Sequence, residues 1–228
     1  MKLRARSLPS ALEHRLSAYA TAASAAGVGM LALAQPAQAK IVYTPTHQKL
    51  PIGPLFYLDL NHDGISDFAF HANTSDFGSH DSAFLRVYGQ AAGNSVVGPF
   101  PHFCVSALRA GFRVGPWTSS SFQGHGTMGL VSVGRTVPLY YCPWAPKGKS
   151  VGHHYVGLKF VVKGKTHFGW ARFNVRIYRN PESTVDAVLT GYAYETIPNK
   201  PIITGKTKGL DEAQGSLGAL AAGAAGRP

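Results

Sequence analysis

Between residues 154 and 178 the side chains change character at every second position, and that period limits how the stretch can fold. Val156, Leu158, Phe160 and Val162 alternate with Tyr155, Gly157, Lys159 and Val161. After Lys163-Gly164-Lys165, the residues Ala171, Phe173, Val175 and Ile177 alternate with Arg172, Asn174 and Arg176. In an extended strand residues i and i+2 share a face, so this pattern puts one face on a core and turns a charged face away from it. Two such runs joined by a short turn containing Gly predict an antiparallel hairpin.

Shorter apolar pieces suggest further strands. They fall at 41–43, 55–58, 68–71, 84–89, 130–133, 137–141 and 184–195, with Pro198 and Pro201 ending the last. Residues 90–128 are rich in Gly, Pro and Ser and read as long surface loops. After Lys40 no sustained 3.6-residue pattern appears. Many short strands and many turns predict an all-β chain, an antiparallel β-sandwich of jelly-roll or immunoglobulin-like kind.

The first 39 residues have a different composition. Lys2, Arg4, Arg6 and Arg15 precede a small-residue apolar run from about Ala18 to Ala34, and Ala37-Gln38-Ala39 has the A-x-A form of a signal-peptidase site. The run is too short and too rich in Ala and Gly for a membrane span. Residues 1–39 therefore read as a secretory signal helix that meets the membrane only in transit. Residues 40–204 read as the β-sandwich domain and 205–228 as a disordered low-complexity tail. Cleavage leaves about 189 residues, enough for one domain with a sizeable core. It also removes four basic residues and one acid, which lowers the net charge from +11 to +8. The remaining basic residues are scattered and form no stripe interleaved with aromatics, so nucleic acid is not an expected partner.

Export bears on the two cysteines, Cys104 and Cys142. In an oxidising compartment an isolated pair of this kind is expected to form a disulfide. Neither cysteine has the closely spaced companions of a zinc site.

One motif carries specific chemistry: Asp59-Leu60-Asn61-His62-Asp63-Gly64-Ile65-Ser66-Asp67, of the form D-x-N-x-D-G-x-x-D. Calcium takes six to eight oxygen ligands, and side chains at alternate positions of a curled loop can converge on one centre. Asp59, Asn61 and Asp63 supply the first three groups, and Gly64 permits the sharp turn. Ile65 offers its carbonyl while its side chain plugs the core, and Asp67 closes the shell. An EF-hand would need Glu at the position of Phe70, so the loop is of the shorter kind found between strands. An Asx-rich turn without metal is the competing reading. Asp76 and Asp81 read as loop residues rather than ligands.

Other chemical signals are absent. His153-His154 has no zinc-protease spacing, and Gly205-Lys206-Thr207 lacks the preceding Gly of a phosphate loop. There is no G-x-S-x-G elbow. Trp117, Trp144 and Trp170 could stack on sugars, although core packing is the commoner fate of Trp.

The signal segment, KIVYTPT at 40–46, the DLNHDGISDF loop, the hairpin YVGLKFVVKGKTHFGWARFNV and the segment TGYAYETIPNKPI together resemble exported bacterial proteins of unknown function. These are of acidobacterial type and similar to proteins with PEP-CTERM sorting tails. The resemblance implies a secreted or surface-associated β-rich protein and no particular activity. The expected function is non-enzymatic: adhesion or matrix binding, with extracellular polysaccharide or cell-surface matrix as partner and one structural calcium. The alternative is a module that binds or cleaves glycans.

Overall fold

The structure, a computed structural model, describes residues 40–76, 80–99, 103–118, 121–134 and 137–208. The expected signal helix and nearly all of the expected tail lie outside these residues. All regular structure among them is β. The strands are β1 (Ile41–Lys49), β2 (Leu55–Leu58), β3 (Phe68–Asp76), β4 (Asp81–Gly89), β5 (Ser95–Gly98), β6 (Arg113–Val114), β7 (Ser121–Gln123), β8 (His125–Val133), β9 (Pro138–Tyr141), β10 (Val151–Val162), β11 (Lys165–Arg179), β12 (Ser183–Glu195) and β13 (Ile202–Ile203). One sheet runs β1-β12-β11-β10-β5-β7, another runs β2-β3-β4-β8-β9, and β13 pairs with β6. Every ladder between these strands is antiparallel.

The alternating segment forms the expected hairpin. β10 and β11 pair from Val162↔Lys165 outward, and Lys163 and Gly164 make a two-residue turn at φ of 48° and 74°. Positive φ at both central positions gives the type I′ turn, whose twist matches that of paired strands. Val156, Leu158, Phe160, Phe173, Val175 and Ile177 point from this hairpin into a core shared with the other sheet. Phe68, Phe70, Leu85, Val87, Met128 and Val131 meet them there. Phe70 and Phe173 lie 4.8 Å apart between ring centres, which joins β3 to β11 across the core.

From Ala171 to Ile177 the alternation holds, with Arg172, Asn174 and Arg176 turned away from the core, but nearer the hairpin turn the six-stranded sheet is buried on both faces where the alternation predicts burial of one. On its far side Tyr155, Phe168, Trp170 and Ala193 pack against Val97, Leu108, Val114 and Ile202 in a second core. This layer comes largely from the 90–128 region, so the expectation of long surface loops there is corrected. Val96, Val97 and Val105 are fully buried. Gly157 lets the layer descend: a Cβ there would lie 2.7 Å from Val97 Cγ2 and 3.0 Å from Leu108 Cδ1. The sequence signal was the unbroken run Phe168-Gly169-Trp170-Ala171, since strands buried on both faces lose their alternation.

Cys104 and Cys142 are disulfide-bonded. The bond ties the segment after β5 to the end of β9. β9 covers one flank of β8 from Leu130 to Val133. Beyond it, residues 103–105 continue along β8 through Val105 N–H to Thr127 O at 2.8 Å and Thr127 N–H to Phe103 O at 2.7 Å. Of the tryptophans, Trp144 and Trp170 are core residues and Trp117 is exposed. Asp76 and Asp81 lie in strands and face each other across the β3–β4 hairpin, so reading them as loop residues is corrected as well. Asp81 accepts from Arg179 Nε at 3.2 Å.

Candidate functional site

Residues 59–67 connect β2 to β3 at the edge of the five-stranded sheet, and the loop curls around its own carboxylates. Asp59 Oδ1 accepts from His62 N–H at 2.7 Å and Asp63 N–H at 3.3 Å, while its Oδ2 accepts from Gly64 N–H at 2.8 Å. Asp63 Oδ1 accepts from Ile65 N–H at 2.9 Å, and Oδ2 accepts from Asn61 Nδ2 at 2.9 Å. Asp67 Oδ2 accepts from Leu60 N–H at 2.8 Å and closes the ring. His62 at φ 60° and Gly64 at φ 87° provide the left-handed turns this path needs. Gly64 meets the role read for it, since few residues other than Gly adopt that conformation cheaply.

The side chain that plugs the core is Leu60. It is 1 % exposed, and its Cδ2 would lie 2.9 Å from a Cβ at Gly169. Ile65 is 67 % exposed, which corrects the role expected of its side chain. The loop also docks on the six-stranded sheet through His62, whose Nε2 shares a hydrogen bond with Thr44 Oγ1 at 2.9 Å. The His62 ring lies 5.8 Å from that of Tyr192. Leu60 and His62 alternate with Asp59, Asn61 and Asp63, so the odd-numbered residues form the polar set and the even-numbered ones hold the loop to the sheets. The signal for Leu60 was its place as the single strongly apolar residue between Asp59 and Asp63.

The loop's charge is visible in its neighbours. Burial pushes the Asp67 carboxyl up to about 6, and the carboxylates of Asp59 and Asp63 add to that rise. Asp63 is held below the usual carboxylate range by its hydrogen bonds from Asn61 and Ile65, with a smaller contribution from Lys163. Burial raises the Tyr194 phenol, and Asp63, Asp59 and Asp67 raise it further. Among the described residues no three or more His, Cys, Asp or Glu side chains gather at a point where they could hold an ion. One oxygen of the loop is nevertheless orphaned: Asn61 Oδ1 is buried and has no hydrogen-bond partner. It sits at the third position of the motif, where an oxygen donor is expected from the sequence.

No protein-family model matches the chain, and neither a curated protein nor a solved structure does.

Proposed function

We propose that this chain is an exported, non-enzymatic binding protein of surface adhesion or matrix type. In this reading its jelly-roll or immunoglobulin-like sandwich carries one structural calcium in the 59–67 loop. The observation that carries the calcium assignment is the orphaned Asn61 Oδ1. A buried acceptor without a donor costs about 1–3 kcal/mol, and a hard cation satisfies it as well as a hydrogen bond does. In donor type the set suits calcium, since Asp59, Asn61, Asp63, Asp67 and the Ile65 carbonyl all supply oxygens. Each carboxylate oxygen that accepts one N–H keeps a further lone pair for an ion. The ion would offset the repulsion from Asp59 and Asp63 that adds to the burial of Asp67, and would tie β2, β3 and β12 together through the loop. Export is supported by the Cys104–Cys142 bond, because disulfides persist in oxidising compartments. Calcium there is abundant enough to fill weak extracellular-type sites.

Calorimetric titration of the purified protein with calcium is expected to show one site, lost in Asp63→Ala, and calcium is expected to raise the melting temperature. Equal binding by the variant would sink the loop assignment.

Acidity supplies a second test. The folded Asp67 binds its proton up to about pH 6, whereas the unfolded chain releases it near 3.8. In that window the folded state holds more protons, so the calcium-free protein gains stability from this group as pH falls from 7 towards 4. Asp67→Asn is expected to flatten that part of a melting-temperature profile. Calcium competes with the same proton, so its affinity is expected to fall as pH drops through 6. Affinity constant from pH 7.5 to 5 would exclude Asp67 as a ligand.

A further inference from the structure

The two sheets differ in what covers them. The six-stranded sheet has an apolar layer over one face and a second around Tyr155, Phe168, Trp170 and Ala193 on the other, whereas the outer face of the five-stranded sheet has none among the described residues. The registers place its outward side chains in rows across the strands. One row runs Tyr57, Ala69, Tyr88, His125 through direct pairings. Phe103 extends it, with its ring 6.2 Å from His125 and nearly parallel at 13°. Tyr88 stacks on the other side of His125 at 6.3 Å and 20°. Tyr57 is 53 % exposed and Phe103 is 70 % exposed. Hollows of about 420 Å³ and 400 Å³ flank Tyr88, and the first is lined by Arg86, Phe103 and His125.

The neighbouring row runs Leu55, His71, Arg86, Thr127. The Arg86 guanidinium lies 4.4 Å from the Phe84 ring centre and makes no ion pair among the described residues. None of the outward positions paired across β2, β3, β4, β8 and β9 is Asp or Glu.

We propose that this face binds an acidic polysaccharide. The rings of Tyr57 and Phe103, exposed at the two ends of the row with Tyr88 and His125 between them, offer apolar surfaces for the apolar faces of sugars. Arg86 supplies a planar fork for a uronate carboxylate, already held flat by Phe84. The absence of carboxylates on the face removes the repulsion an acidic polymer would otherwise meet. One guanidinium for three exposed or half-exposed aromatic rings matches a polymer of sparse charge. A nucleic acid, with one phosphate per nucleotide, calls for a basic groove tracking its backbone. The assignment rests on the reading of the chain as an exported binding protein and is independent of the calcium loop.

The test is titration calorimetry of the full chain with sodium oligogalacturonates in EDTA, which removes calcium from both protein and polymer. Cello-oligosaccharides and oligo(dT) serve as comparisons. Oligogalacturonate is expected to bind best and to weaken with added salt. Arg86→Gln and Tyr57→Ala, both at exposed positions, are each expected to weaken it by roughly tenfold or more. Trp117→Ala, on the exposed Trp outside these rows, is expected to leave it unchanged. Each of these results overturns the proposal: no binding, equal or tighter binding of the neutral oligosaccharide or oligo(dT), binding indifferent to both face variants, or self-association in sedimentation that Tyr57→Ala abolishes. Binding that appears only with calcium would also overturn it while leaving the calcium loop intact. Failure of calcium to bind leaves this test unaffected.

Discussion

Serine at both Cys104 and Cys142 will lower the melting temperature by roughly 8–15 °C, the equivalent of about 4 kcal/mol for a domain of this size. The bond closes a separation of 38 residues. Releasing it restores chain entropy to the unfolded state, and it also frees the 103–105 segment that flanks β8. That segment donates from Val105 N–H to Thr127 O, accepts from Thr127 N–H at Phe103 O, and carries the Phe103 ring at the end of the aromatic row. Native protein melted with and without reductant, compared with the double variant, measures the effect. A loss of less than about 1 kcal/mol would mean that the sheets hold this segment without the covalent tie. Hydrogen exchange should localise the loosening to Thr127 and Val105 before the β10–β11 hairpin opens.

The second large effect separates two residues of the 59–67 loop. Leu60→Ala is expected to cost about 2–5 kcal/mol, because it empties a fully packed position between the loop and Gly169. Ile65→Ala is expected to change stability by no more than about 0.5 kcal/mol, since its side chain is mostly in solvent. Denaturant unfolding of the two variants side by side is decisive. If Ile65→Ala proves the costlier, the loop is seated the other way round. If the loop holds calcium as proposed, Leu60→Ala also weakens that binding, because a loop no longer anchored must be ordered by the ion itself.

These two expectations show how unevenly the structure was legible. The β10–β11 hairpin could be read residue by residue, turn included, because a two-residue period and Lys163-Gly164 are local signals. The pairing of Cys104 with Cys142 followed from their being the only two cysteines. The oxygen-rich positions of the loop were visible for the same reason, as the motif lies within nine consecutive residues. The 90–128 region was misread. Its composition is that of loops, yet Val97, Leu108 and Val114 are buried because a sheet from elsewhere in the chain presents Tyr155 and Trp170 to them. Within the loop the pattern marked Ile65 as the plug. Leu60 took the position because Gly169 of β11 leaves room opposite it.

The sequence by itself determined the β character, the strongest hairpin, the disulfide and the oxygen-rich composition of the 59–67 loop. Each is encoded in the spacing of a few neighbouring residues or in a composition that allows one choice. Only the tertiary structure decided which faces are covered and which side chains share a row. Tyr57, Tyr88, His125 and Phe103 come from four separate segments and are aligned in one row by the pairing of those segments. Register is settled by matching whole hydrophobic faces across the core, which no local stretch of the chain contains.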